Sequence, residues 1–288
     1  NALTSAAAGV LLEKGRLHLN DEIQIYLPAF PRKQWSVTLR QLMGNVAGVR
    51  HYRDDAESRP TAHCDRASDG LTTFADDPLL FEPETQYGYS TFGWVLVSEA
   101  IEAAANEPLS SFMDTHMFKP LGMTATRFDS SSELVPDRVT FYQRRFMGEG
   151  SEGVVPAASV DYSCFAGAGA ILSTPSDLAR FGLAMETGKL LQAATVTTLQ
   201  SPQVLTSGQE TEYGLGWMVE TVTLSGVPTR MVHHASRSLA GGTTSFMTFP
   251  SRGIVVAVTA NIANGITRDI ALGIAQAFAD HGTNRPGR

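Results

Sequence analysis

The chain has 288 residues, 43% hydrophobic and 18% charged, enough apolar material for one large or two interleaved domains and too much for a disordered chain. The formal net charge is -7, and lysine occurs only at Lys14, Lys33, Lys119 and Lys189 with no basic run, so nucleic acid is excluded as a partner. The longest apolar stretches, such as 253–260, fall far short of the roughly 20 residues that cross a bilayer, so no membrane span is expected.

The sequence opens directly on an apolar helix. Ala2, Leu3, Ala6, Ala7, Val10 and Leu11 recur at helical spacing, and Gly15 stands where a helix C-cap belongs. With no initiator methionine or signal peptide in front of this helix, Asn1 reads as an internal position of a longer precursor. A turn then leads into 23–27, and a helix is expected over 38–43. Residues 49–84 are rich in Asp, Arg, Ser and Pro with weak periodicity, the pattern of a long irregular excursion that serves as a functional rim or a mobile segment.

Helices are expected over 92–105 and 109–117, the first with Val95, Leu96, Ile101 and Ala105 on one buried face. Ser173 and Thr174 offer a cap, with Pro175 in the first turn, for a helix over 178–185. The last third changes character. Runs at 217–224, 229–234, 243–249 and 254–259 read as strands, the last two as a hairpin, and a helix over 267–279 closes the chain. This order implies an α+β class: an antiparallel sheet flanked by helices, with a large mainly helical insertion. The expected division is 1–16 with 205–288 as the sheet domain, its N-terminal strands lying outside this sequence, and 17–204 as the helical domain.

Cys64 and Cys164 stand a hundred residues apart. Spacing leaves their pairing open, and the preferred reading is two unrelated small apolar residues. No CxxC or HExxH spacing occurs and the histidines are scattered apart from His233–His234, so neither a metal nor a cofactor is expected.

Six strings in order carry a resemblance: LLEKGRLHLND at 11–21, LMGNVAGVRHY at 42–52, YSTFGW at 89–94, PLGMTAT at 120–126, LSTPSDL at 172–178 and YGLGW at 213–217. Together they resemble the serine β-lactamase-like, penicillin-binding-protein superfamily. That group includes class C β-lactamases, DD-carboxypeptidases and esterases, and the motif style is closest to its mitochondrial branch. The resemblance implies a β-lactamase/transpeptidase-like fold and acyl transfer from a β-lactam, a D-Ala peptide or an ester. In such enzymes a Ser-x-x-Lys serine attacks the carbonyl, the lysine helps remove its proton and a tyrosine shuttles protons.

Mapped onto this chain, the resemblance makes Tyr89 the shuttling tyrosine and Thr91 its neighbour in the motif. The string HASRSLAGG at 234–242 aligns with the family's His-Thr-Gly-Gly pattern, which makes His234 the carboxylate-side residue. Ser236 and Arg237 then stand on the substrate-binding strand where the family has glycines, with the Arg237 backbone N–H as an oxyanion donor. Asn1 falls in the position of the family lysine, and the serine's register lies three residues before it. No lysine in the chain has a serine at i−3. Asn45, Ala47 and the Gly167–Ala170 stretch depart from the pattern as well. Two readings follow. One is a serine hydrolase scaffold acting on a small-molecule or peptide substrate with a carbonyl and a carboxylate. The other is an inactive member that binds a peptide, an ester-like ligand or a protein. Family analogy places such a protein in the periplasm or outside a bacterium.

Overall fold

The computed structural model describes the chain except residues 65, 146–152, 238–240 and 284–288, with backbone alone at 67, 237, 282 and 283. Helix α1 (Ala2–Glu13) is apolar and small-sided, with Ala6, Ala7, Ala8 and Leu11 fully buried. Gly9 shows why small residues are needed there: an added Cβ would meet the Leu191 side chain at 2.7 Å. The helix stops where the sequence implies. Gly15 adopts φ 63°, Gly15 N–H bonds Leu12 O, and Arg16 N–H bonds Leu11 O. This is the left-handed closing turn that glycine enters without a side-chain penalty.

Helix α2 (Leu39–Met43) starts at a reciprocal Thr38–Gln41 capping box. Helix α3 (Asp55–Ser58) is one turn within the excursion at 49–84. That excursion is anchored rather than loose. Arg50 is buried, and its guanidinium spends every N–H: Nε on Asp77 at 2.5 Å, Nη1 on Glu57 and His51 O, Nη2 on Glu57 and Thr73 O. Its plane also lies over the Phe92 ring, 4.9 Å from the centroid.

Helix α4 (Thr91–Ala105) runs through the centre of the helical layer and packs against α1 and α2, with Phe92, Trp94, Val95, Leu96 and Ile101 all fully buried. The helix expected over 109–117 divides into α5 (Leu109–Met113), a π-helical turn over Asp114–Phe118 and α6 (Lys119–Leu121). Two small ladders follow, β1 (Arg127–Phe128) with β4 (Ile171–Leu172) and β2 (Tyr142–Arg144) with β3 (Val154–Pro156). Helix α7 (Pro175–Glu186) begins at Thr174, whose side chain accepts from Asp177 N–H. Helix α8 (Ala193–Gln200), rich in Thr and Val, was not expected from the sequence and packs on α1.

The four-stranded antiparallel sheet has the order β5 (Met218–Leu224), β6 (Val227–Arg237), β7 (Thr243–Phe249), β8 (Ile254–Ala260). The expected hairpin is β7–β8, in register from Thr243↔Ala260 to Phe249↔Ile254. Helix α9 (Thr267–Thr283) covers one face through Ala271, Ala275 and Ala279 on Met231, Met247 and Phe249. The other face meets the helical core, where Phe246 packs on Trp217 and Phe181 of α7. Pairing of β5 with β6 ends at Met218↔His233, so, among the described residues, positions 234–237 pair with β7 alone and leave one strand edge free.

The cysteines correct the sequence reading. Cys64 and Cys164 form a disulfide, with Cα atoms 5.1 Å apart. It ties the excursion to the turn over Ser163–Phe165. Beside it Asp161 accepts from Ser163 N–H at 2.9 Å and from the Ser131 hydroxyl, and it contacts His63 Nδ1 at 2.9 Å. A bridge spanning 100 residues removes a large loop-closure entropy from the unfolded chain. Replacing both cysteines by serine should therefore destabilise the fold by about 2–5 kcal/mol. A denaturation midpoint unchanged in the double variant would show that the bridge constrains nothing.

Candidate active site

Four separate elements deliver polar groups to one point. Asn1 is the N-cap residue of α1, Tyr89 immediately precedes the Ser90 cap of α4, and His234 lies on β6 opposite Phe246. The fourth is the backbone at Ala168, just past the disulfide-bonded turn. The amide orientation of Asn1 follows from its neighbours. Trp94 Nε1, one turn into α4, is a donor only. With the amide oxygen toward it, Asn1 Oδ1 accepts from Tyr89 Oη at 3.0 Å, Trp94 Nε1 at 3.2 Å and His234 Nε2 at 3.3 Å, and Asn1 Nδ2 donates to Ala168 O at 2.9 Å. The reverse orientation sets Nδ2 toward Tyr89 Oη at 3.0 Å and Tyr213 Oη at 3.4 Å and leaves the buried indole facing another donor. An amide oxygen offers two lone pairs to these three donors. Trp94 is fully buried and His234 half-buried, whereas Tyr89 is 38% exposed, so its hydroxyl is the one an incoming ligand can recruit.

Burial holds His234 well below the ordinary 6.5, so it is a neutral imidazole at neutral pH, and donation to Asn1 requires the proton on Nε2. Burial raises the Tyr89 phenol above its ordinary value, opposed by the Thr91 side chain, and donation of its O–H to Asn1 Oδ1 favours the same neutral form. Tyr89 is therefore an un-ionised phenol.

The sequence-derived candidates separate at this point. Asn1, Tyr89 and His234 come together. Thr91 lies beside them, buried, as the first residue of α4. Ser236 is exposed on the free edge of β6, and Arg237 pairs with Thr243 through its backbone while its side chain lies outside the described residues. His233 faces away from His234, toward α9, with Nε2 2.6 Å from Glu220 Oε1.

Two further residues shape the site. Asn45 is buried at φ 56°, and its Oδ1 accepts from Ser90 N–H at 3.1 Å while its carbonyl accepts from Gly88 N–H at 2.8 Å. The apparent departure from the family histidine thus holds the turn that aims Tyr89. His51 Nδ1 accepts from Thr91 N–H at 3.2 Å and its ring stands edge-on to Tyr89, centroids 5.5 Å apart. Its place in RHY, as the tenth residue of the second motif's string, is the one sequence signal that points to it. Asn1, His51, Tyr89, Thr91, His234 and Ser236 line a cleft of about 1590 Å³, above the usual ~300–1,000 Å³ of small-molecule sites.

A sequence model of the Beta-lactamase family matches residues 2–281. The chain belongs to the β-lactamase family. It is 28% identical over 242 residues to penicillin-binding protein 4* of Bacillus subtilis, covering 80% of this chain and 52% of that protein. It is 24% identical over 379 residues to the mitochondrial serine β-lactamase-like protein LACTB of Homo sapiens, covering 96% of this chain and 68% of that one. A crystal structure of a penicillin-binding protein from Bacillus halodurans superposes with a TM-score of 0.78 at 21% identity, covering 96% of this chain and 82% of that chain. The chain thus spans about half the length of its Bacillus subtilis relative. The α+β, β-lactamase/transpeptidase-like fold class read from the sequence is the observed one. Among the described residues, no helix is long and apolar enough to cross a membrane.

The low His234 pKa has a stability consequence with a definite sign. Between 6.5 and its depressed folded value, the unfolded chain binds more protons than the folded one, so stability falls as pH drops below about 6.5. His234→Gln keeps an N–H donor and removes the titration. The wild type should lose more stability than this variant between about pH 7.5 and pH 5 in urea titrations. Parallel profiles would show that His234 does not titrate as a buried neutral imidazole.

Proposed function

We propose that this chain is the acyl-binding cleft of a serine hydrolase scaffold, receiving the carbonyl of an amide, ester or lactam between Tyr89 and the free edge of β6. The meeting of Asn1, Tyr89 and His234 at one point of the cleft carries this reading. The family's base is a lysine, and Asn1 stands in its register. An amide cannot accept a proton at neutral pH, so the chain as written binds such ligands with crippled acylation. The second reading, a family member that binds a peptide or ester-like ligand without turnover, is favoured by Trp94, whose buried N–H matches an acceptor at position 1 and not an ammonium. The Cys64–Cys164 bridge supports an exported, oxidising setting.

The test compares nitrocefin and p-nitrophenyl ester turnover by the 288-residue polypeptide with that of a version carrying Asn1→Lys behind an added Ser-x-x. The first should give a trace rate, since loss of a nucleophile leaves about 10³–10⁴-fold over water in the serine protease precedent. The second should form a covalent adduct visible by intact mass. Equal rates would show the nucleophile to be misassigned. Ser90 is then disfavoured, because its hydroxyl is buried, donating to Arg50 O and accepting from Gly93 N–H. Ser236, exposed on the strand edge, would be the next residue to replace.

A further inference from the structure

The cleft is walled by rings, among them Tyr52, Tyr87, Phe141, Tyr162, Phe165 and Tyr213. Its formal charges, among the described residues, are already paired. Among the described residues, Arg138 and Arg268 are the cleft's lining guanidinium groups and no lysine lines it. Arg138 lies 2.7 Å from Asp129, with its plane 5.9 Å from the centre of the Phe141 ring. Arg268 lies 2.9 Å from Glu220, which also receives His233 Nε2 at 2.6 Å. Asp129 and Glu220 are in turn the lining carboxylates, so cations and anions match one to one.

The histidines add no charge at neutral pH, because burial holds His51, His233 and His234 below their ordinary value. Among the described residues, a carboxylate entering this space would shed its water without a free cation to receive it. Drawing Arg138 or Arg268 toward it would strand Asp129 or Glu220. A neutral carbonyl meets none of these costs. It finds the Tyr89 hydroxyl and apolar ring faces, which bury large flat groups well.

We infer that the cleft selects an uncharged acyl ligand with an aromatic or bulky apolar arm and discriminates against the same ligand bearing a carboxylate. This rests on the acyl-cleft reading above and departs from the carboxylate that the family resemblance implies.

An isosteric pair isolates the single charge: N-acetylphenylalaninamide and N-acetylphenylalanine, each enantiomer titrated calorimetrically into the 288-residue polypeptide at pH 7.5. The amide should bind about tenfold or more tighter than the acid. Phe141→Ala should weaken the amide roughly fivefold by removing one ring wall. Acid binding as tight as amide binding, through Arg237 or any other cation, would overturn the inference and leave the acyl-cleft reading standing. Amide binding unchanged by Phe141→Ala would place the ligand elsewhere and overturn it too. Binding of neither ligand would overturn the acyl-cleft reading itself, and the inference with it.

Discussion

The site depends on one hydrogen-bond acceptor, the amide oxygen at position 1. Trp94 sits fully buried in α4, and its indole N–H cannot accept, so an acceptor must face it. Asn1 supplies that acceptor and, through the same oxygen, ties α4 to β6 at His234. Its amide N–H extends the tie to Ala168 O. An ammonium group in this place would face the indole donor and could not accept from it. Asn1 is therefore matched by its surroundings, and a lysine there would require Trp94 N–H to find another partner.

The wall around this point is held by a second set of satisfied polar groups. Thr4, one turn into α1, donates its hydroxyl to Gly167 O at 2.7 Å, which fastens the cleft-lining segment that follows the disulfide. Arg50 gathers Glu57, Asp77 and the carbonyls of His51 and Thr73, so a stretch with little periodic pattern becomes a fixed rim beside Tyr89. A buried arginine is expensive unless every N–H is met, and here every N–H is met. The result is a preorganised cleft whose polar groups need little rearrangement to receive a ligand.

The elements that were legible in the sequence are those whose periodicity and caps agree. The β7–β8 hairpin, the α4 helix and the Thr174 cap all fall where alternation, helical spacing and cap chemistry place them. What remained hidden depends on long-range geometry. The disulfide joins positions 100 apart, and no local pattern reports which loops meet. Helix α8 sets Thr and Val among its alanines, β-branched residues whose intrinsic preference does not point to a helix, and it packs on α1. The π-helical turn at Asp114–Phe118 interrupts an apolar spacing that reads as one continuous helix. Asn45 looked like motif decay because the sequence cannot show that its side chain holds the Ser90 backbone. Asn1, Tyr89 and His234 could be named from motif registers, whereas Trp94 and His51 gain their meaning only from what they touch.

The protonation states of these groups settle what the site can do at neutral pH. A lysine beside the tyrosine would stabilise its phenolate and could itself exchange a proton. Asn1 does neither. Burial then acts unopposed by any cation: it keeps Tyr89 a phenol and His234 an uncharged imidazole. In the orientation that Trp94 imposes, Tyr89 and His234 donate to Asn1 Oδ1, the Asn1 amide N–H is taken by Ala168 O, and position 1 itself carries no base. On the acyl-cleft reading proposed above, such an arrangement receives a carbonyl oxygen while position 1 supplies no base to open it. On that reading, binding and turnover, which the family's lysine would couple in one residue, are separated at position 1.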